Sequence, residues 1–426
     1  MPKGSVPNIN WVQTHFLAWH FCNLGALSIT PYHMESFLES LKAEAKTGLA
    51  KLIFQEERFK SKVLLRMPEI KTAIIGIGNC CSAFVQGFYY LKVKEKGKAP
   101  YEENLGFPYP EVGGYKVSDI SVVAAFDIDA NKIGKDLSEA IFAEPNTAWR
   151  FQEVPELGVK VQKGRALDGI GEHLKHVIQL DDSPAPEISR ALRESGAELV
   201  LNLIPSGAVK ASRHYAKEAI KAGCAFINAT PIALASDKEW GRRFSKVGLP
   251  IAGDDLMDQA GSTVFHKAIL EALHRRNVRI EKSYSLDVGG GTEDLNALER
   301  RRNLLKRRFK TESIRATLPY DFQIAAGTTD YVGSLKNQRV SYLWIEGRYF
   351  AGAPISIDIK ITSLDAPNGA GVLMDVVRGV KVALDQGLGG PLEVVSAYGF
   401  KMPPSPMPIQ EAIRRFEAFA RGKEAL

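Results

Sequence analysis

The stretch Lys71-Thr-Ala-Ile-Ile-Gly-Ile-Gly-Asn-Cys-Cys-Ser82 constrains the fold of this chain more than any other. A short apolar run closed by glycines reads as a buried parallel strand. A helical pattern, Ala83-Phe-Val-Gln-Gly-Phe-Tyr-Tyr-Leu91, follows it directly. The same alternation recurs downstream. Apolar strand patterns fall at 120–127, 198–205, 225–229 and 250–255, and helix patterns at 186–195 and 212–222. Strand and helix in regular turn predict an α/β fold with a doubly wound parallel sheet.

From about residue 278 the texture changes. Residues 279–287, 339–347 and 355–362 alternate apolar with polar side chains. Such strands have one covered and one wet face, which predicts an inserted α+β domain built on an antiparallel sheet. Helix spacing returns over 370–387. The expected organisation is an N-terminal, partly helical extension (1–70), a dinucleotide-binding domain (71–277), the α+β insertion (278–369) and a C-terminal return to the first sheet (370–426). The extension stands apart, with Trp11, Trp19, His15, His20 and His33 ahead of a charged helical stretch over 35–66.

Of the 426 residues, 45% are apolar and 24% charged, which excludes a disordered or low-complexity chain. Cys22, Cys80, Cys81 and Cys224 are too scattered for a disulfide framework or a zinc site, so a reducing, cytoplasmic setting is expected. The apolar-leaning stretch 16–29 is broken by His20 and Asn23 and lacks a basic lead-in, so neither a signal peptide nor a membrane span is expected.

Chemistry first shows at Gly76-Ile-Gly-Asn-Cys-Cys81, between a strand and a helix. Gly76 and Gly78 permit the tight turn and the close approach of a pyrophosphate to the helix N-terminus, where Asn79 and Cys80 lie. The third glycine slot holds Cys81, small enough to pack. Asp127 ends the second strand, where a ribose-binding carboxylate belongs, and an acid there favours NAD over NADP. This is a Rossmann-like fingerprint. Three further strand ends carry polar clusters: Asn202, Pro205 and Ser206; Asn228 and Thr230; Asp254 and Asp255. Ligands of open parallel sheets sit outside such ends. Turn formation alone is the competing account of Ser206 and Asn228.

Net charge is +6, and residues 300–310 alone carry seven cations and no acid, so the other 415 residues sum to −1. Lys306 and Lys310 are four apart and share a helix face. Taken alone, the segment reads as a phosphate or oxyanion site, as a nucleic-acid patch, or as a solvated basic helix face.

Gly76-Ile-Gly-Asn-Cys, Ala125-Phe-Asp-Ile-Asp, Leu167-Asp-Gly-Ile-Gly, Gly253-Asp-Asp, Leu295-Asn-Ala-Leu-Glu-Arg, Asp365-Ala-Pro-Asn-Gly-Ala-Gly-Val, Gly389-Gly-Pro and Ser396-Ala-Tyr-Gly-Phe-Lys-Met-Pro-Pro together resemble the myo-inositol-1-phosphate synthase family, in its bacterial and archaeal branch. The resemblance runs from about 71 to 404. It implies a lyase-like isomerase that holds NAD and turns D-glucose 6-phosphate into 1L-myo-inositol 1-phosphate. Oxidation at C5, enolisation, intramolecular aldol closure onto C1 and re-reduction leave no net redox change.

The resemblance carries the catalytic lysines onto Lys306, Lys310, Lys336 and Lys401, and the carboxylates onto Asp255 and Asp365. Lys306 and Lys401 would stabilise oxyanions and relay protons. Lys310 would assist and contact phosphate, and Asp365 would orient the lysines. Cofactor contacts would come from Gly76, Gly78, Asn79, Cys80, Asp127, Asn202, Pro205, Ser206, Asn228, Thr230 and Asp254. Substrate contacts would come from Gly290, Gly291, Thr292, Glu293, Leu295 and Asn296. A homotetramer is implied, with a hexose phosphate as the partner and neither nucleic acid nor membrane. Some relatives use a divalent or monovalent cation near the nicotinamide, which Asp254 and Asp255 could serve, though no ligand spacing identifies a metal.

The chain departs from the family at Gly291 (usually Asn), Glu293 (usually Asp) and Met257 (usually Lys). These changes fit a drifted synthase or a paralogue that closes another hexose phosphate, such as fructose 6-phosphate, into a five-membered ring. The same fold would also serve a net NAD-dependent dehydrogenase, or a non-catalytic sensor of NAD or nucleic acid.

Overall fold

The computed structural model describes residues 69–95 and 106–423. Almost all of the N-terminal extension, Cys22 and part of the loop after the first helix therefore lie outside the described residues. In chain order, the first half holds β1 (Ile70–Ile75), α1 (Asn79–Glu95), the small hairpin β2 (Glu111–Val112) and β3 (Tyr115–Lys116), β4 (Ile120–Asp127), α2 (Leu137–Ala140), β5 (Val161–Lys163), α3 (Ile188–Glu194), β6 (Leu199–Asn202), α4 (Val209–Ala222), β7 (Ala225–Asn228), α5 (Lys238–Lys246) and β8 (Pro250–Gly253). The second half holds α6 (Ser262–Arg275), β9 (Arg279–Gly289), α7 (Thr292–Asn296), α8 (Arg300–Arg315), β10 (Gln323–Tyr331), β11 (Gln338–Arg348), β12 (Pro354–Leu364), α9 (Asp365–Asp385), β13 (Gly390–Pro391), α10 (Glu393–Gly399) and α11 (Ile409–Ala420).

Seven strands form one sheet in the order β13-β8-β7-β6-β1-β4-β5, every pair parallel. After β1 the chain first builds outward through β4 and β5. It then crosses to the other side of β1 for β6, β7 and β8. The reversal places a crevice at the carboxyl ends of β1 and β6, where doubly wound sheets bind ligands. Because a parallel sheet is covered on both faces, its strands are apolar throughout. Phe84, Phe88, Val376, Val377, Phe400 and Phe416 fill one face with α1, α9, α10 and α11. Leu192, Tyr215, Ala216, Trp240 and Phe244 fill the other with α3, α4 and α5.

The second sheet has the order β10-β9-β11-β12. The β9–β11 and β11–β12 pairs are antiparallel, as the alternating pattern predicts. The edge strand β10 is a further strand that the pattern does not reveal, and it runs parallel to β9. Its sequence Gln-Ile-Ala-Ala-Gly-Thr-Thr-Asp-Tyr has no period-2 alternation and three small residues at its centre, a weak strand signal. A parallel pair needs a crossover, and α7 with α8 supplies it. Leu270, Ile280, Ile314, Phe322 and Ile345 make the core between this sheet and helices α6 and α8. The helix expected at 370–387 starts five residues earlier, at Asp365, and runs to Asp385. Among the described residues no helix is long and apolar enough to cross a membrane, and Cys80, Cys81 and Cys224 are free.

The C-terminal return is locked by a buried cation. Arg378 on α9 is fully buried. It pairs with Asp375 and donates to the carbonyl oxygens of Tyr109 (2.9 Å), Pro110 (3.2 Å) and Tyr115 (3.3 Å). Asp375 also accepts from the Tyr398 hydroxyl at 2.6 Å. Removing one partner of a buried pair strands the other. Arg378→Met is expected to lower unfolding free energy by about 3–5 kcal/mol, read by urea denaturation. A loss below about 1 kcal/mol would show that the 106–116 segment is held by other means.

Candidate active site

The β1–α1 turn is built so that only glycine suits position 76. Gly76 has φ +93°, and a Cβ there would lie 3.0 Å from the carbonyl carbon and oxygen of Leu203 and 3.1 Å from the Ile204 nitrogen. The turn is tied down on its other side by Asp127. One Asp127 carboxylate oxygen accepts from the Ile77 N–H at 2.6 Å, and the other from the N–H groups of Ile128 (2.7 Å) and Asp129 (3.0 Å). Asn79 accepts from the Thr147 N–H at 2.7 Å, fixing the start of α1. Burial pushes the Cys80 thiol well up, so it stays protonated.

A cleft opens at these strand ends. Its lining includes Gly76, Gly78, Asn79, Cys80, Asp127, Pro205, Ser206 and Thr230. Gly291, Thr292, Glu293, Asp255, Lys306, Lys336, Asp365 and Lys401 line the same cleft. Residues drawn from opposite ends of the chain thus converge on one cavity. The glycine turn, the helix N-terminus, the aspartate at the end of β4 and the buried Thr230 hydroxyl, which has no hydrogen-bond partner, fit a dinucleotide.

Other expected contacts lie behind the wall. Asn202 and Asn228 are fully buried and bond to each other at 2.9 Å, holding the ends of β6 and β7 in register. Asp254 accepts from Asn228 (2.7 Å), from the N–H groups of Leu234, Ala235 and Ser236, and from the Ser236 hydroxyl. Burial pushes its carboxyl up to about 6 against those bonds. It organises the 234–236 loop and does not line the cleft. Gly290 packs against the 332–336 turn, and Leu295 is likewise off the lining. Asn296 is buried, donating to the Ser206 carbonyl at 2.9 Å. Met257 is buried, with its N–H donating to the Gly399 carbonyl at 2.9 Å.

The charged groups divide into three sets. Lys401 donates to Asp255 at 2.9 Å and to the Leu256 carbonyl at 2.7 Å. The second Asp255 oxygen is buried with no partner, and burial raises this carboxyl although Lys401 opposes the shift. Lys306 lies 3.3 Å from Glu293 and makes no other well-directed bond. Burial alone would lower its pKa, but Glu293, Asp294 and Asp365 hold the ammonium above its ordinary value. The third set lies beneath the cleft. Lys310 is buried, donating to Asp287 at 2.5 Å and to Ser262 at 2.7 Å, and burial pushes its ammonium down. It does not line the cavity.

Arg339, Asp258 and Asp294 also line the cleft, although no sequence signal marks them as site residues. The Arg339 guanidinium donates to Asp294 at 3.1 Å and to Asp365 at 2.9 Å, with its Nε buried and unpartnered. Lys336, three residues earlier, sits exposed at the rim with φ +52°. Burial, together with Asp258 and Asp294, raises the Asp365 carboxyl to about 6 against the pull of Arg339 and Lys306. Among the described residues no group of three or more His, Cys, Asp or Glu is arranged to hold a metal ion.

A family model described as myo-inositol-1-phosphate synthase matches residues 261–366. Inositol-3-phosphate synthase of Mycolicibacterium smegmatis is 38% identical over 362 residues, covering 83% of this chain and 98% of that protein. The crystal structure of Ari2 superposes with a TM-score of 0.66 at 34% identity, covering 83% of this chain and 99% of that one. A myo-inositol-1-phosphate synthase-related protein from Thermotoga maritima gives a TM-score of 0.69 at 25% identity, over 84% of this chain and 100% of that one.

Gly76→Ala would force a side chain into the Leu203 backbone at a φ that only glycine adopts freely. The expected result is a loss of at least about tenfold in NADH affinity by fluorescence titration, equivalent to about 1.4 kcal/mol. Unchanged affinity would place the dinucleotide elsewhere.

Proposed function

Because the chain belongs to the myo-inositol-1-phosphate synthase family, we propose that it converts D-glucose 6-phosphate into 1L-myo-inositol 1-phosphate with tightly held NAD and no net redox change. The observation that carries the reading is the convergence of Lys306, Lys401, Asp255 and Asp365 on the cleft that the glycine turn lines. Bound NAD supplies a hydride acceptor and, after ring closure, a hydride donor, beside the Gly76–Asn79 turn and Asp127.

The rest is work for the chain's own side chains. Each stage develops negative charge on a sugar oxygen, and fixed cations in a buried site stabilise such charge far better than water does. Lys306 is suited to this because it stays protonated while its N–H bonds remain unspent. Lys401 is positioned by Asp255 and the Leu256 carbonyl, so its ammonium need not reorganise as charge appears. The free Asp255 oxygen, raised by burial, can take and return a proton. Lys310 is held by Asp287 and Ser262 behind the cleft, and its charge helps to keep the Asp287 carboxyl well below the ordinary carboxylate range. Arg339 adds a charge that no pH near neutrality removes, with one donor free for phosphate or a sugar oxygen.

Glu293 keeps an acid where the family usually has Asp, and it reaches Lys306 and Ser206. A Cβ at Gly291 would make ordinary contact with Asn79 Nδ2 (3.6 Å) and Asp294 (3.7 Å). The inositol-3-phosphate synthase relative favours glucose 6-phosphate over a five-membered cyclisation or a net dehydrogenation. Incubation with glucose 6-phosphate and catalytic NAD, followed by phosphorus NMR, is expected to yield a cyclitol phosphate with no net NADH. Absence of that product would overturn the reading.

Lys306→Ala and Lys401→Ala are each expected to cut turnover by at least about 100-fold while leaving NADH affinity within about twofold. Comparable turnover in either variant would remove that lysine from the chemistry. Asp365 is ionised above about pH 6 and protonated below it, so its hold on Arg339 is present above that pH and lost as the pH falls through it. The profile of kcat should therefore show an acid limb near pH 6. A flat profile down to pH 5 would show that its ionisation does not matter.

A further inference from the structure

Arg302 is the one arginine of the basic run on α8 that is not a surface cation. It is 6% exposed, whereas Arg300, Arg301, Arg307 and Arg308 are exposed. It lies one helical turn before Lys306, on the same face of the helix. Its guanidinium spans three segments. Nη1 donates to the Ser206 carbonyl at 2.8 Å, Nη2 to the Asp168 carbonyl at 2.7 Å, and Nε to Glu299 at 2.9 Å.

Both loops it grips border the cleft, through Pro205 and Ser206 on one side and Arg165, Ala166 and Gly169 on the other. The fit is backbone-deep. Gly207 has φ +82°, and a Cβ there would come within 2.5 Å of Arg302 Cγ. The second loop is anchored in turn, since the Asp168 carboxylate accepts from the N–H groups of Lys210 (2.8 Å) and Ala211 (2.9 Å) at the start of α4. A parallel strut runs from Ser206, whose N–H and hydroxyl both donate to Glu293, and Glu293 lies 3.3 Å from Lys306.

We propose that Arg302 is a positioning residue that couples the cofactor-side loops to the placement of Lys306, so that dinucleotide and sugar phosphate strengthen each other's binding. Ordering the 165–169 and 205–207 loops around one ligand fixes α8 through the guanidinium fork, and α8 presents Lys306 to the other. Such coupling is reciprocal by thermodynamic necessity. A lysine cannot replace the fork, because an ammonium lacks its planar, fixed donor geometry. The inference rests on the cyclase reading, in that the two ligands are taken to be a nicotinamide dinucleotide and glucose 6-phosphate.

The test is fluorescence titration of the full chain with NADH, with and without saturating glucose 6-phosphate. NADH cannot accept the first hydride, so no turnover intervenes. In the wild-type protein the sugar phosphate is expected to tighten NADH at least about fivefold. Arg302→Met and Arg302→Lys should bring that ratio below about twofold. A merely structural role would lower the melting temperature or weaken each ligand alone and leave the ratio intact. A ratio near one in the wild type, or the full ratio in either folded variant, overturns the proposal. If wild-type protein binds neither ligand, the cyclase reading fails instead.

Discussion

The close approach of two stretches of backbone sets the geometry on which the site depends. The turn after β1 passes so near the chain leaving β6 that a single methyl at position 76 would meet the Leu203 carbonyl. This contact occurs where the chain reverses direction across the sheet, so it fixes the width of the crevice between the two halves. Strand ends β4, β7 and β8 inherit their spacing from it through the parallel ladder. The helix N-terminus at Asn79 opens onto the crevice, which residues of the second sheet, α8 and the C-terminal return also line.

Charge in the cleft is handled by pairing. Lys401 with Asp255, Lys306 with Glu293, and Arg339 with Asp294 and Asp365 each bring a cation into a low-dielectric space with its counter-ion. A lone buried charge would be too costly to hold, and a paired one is tolerable when its remaining valences are met. Here some are not met: Lys306 Nζ, one Asp255 oxygen and Arg339 Nε are buried without a hydrogen-bond partner. On groups that line the cleft, such unfilled valences are where a polar ligand can complete the structure.

The parallel sheet was legible because its strands are short apolar runs that end at glycine, asparagine or aspartate, as Ile74-Ile-Gly and Phe226-Ile-Asn show. In the second sheet, β9, β11 and β12 were legible from their period of two. β10 was not, since Ala325-Ala-Gly-Thr carries neither signal and is a strand only because β9 and α8 offer it a ladder and a cover. For the site, the lysines and carboxylates could be placed by resemblance, but depth could not. Lys306 and Lys310 look equivalent at a spacing of four, yet one enters the cleft and the other is capped by Asp287 beneath it. Arg339 lies at the start of an alternating strand and reads as one more wet position. Arg302 is hidden among six other cations. In both cases the deciding information is a partner 26 to 134 residues away in sequence.

The cleft also dictates an order of assembly. Its lining begins at Ile75 and ends at Lys401, and Asp365 and Lys401 come from the C-terminal return. A nascent chain can lay down the glycine turn and the first strands early, because domains fold as synthesis proceeds from the N-terminus. It cannot complete the lysine set until residue 401 has left the ribosome and the last helices have docked. Translation therefore delivers the glycine turn first, while the sheet that carries it gains its cover from α9, α10 and α11, and the cleft its last lysine, only at the close. A chain cut short before α10 would retain Asp127 and Gly76 but lack Lys401, the partner that holds Asp255.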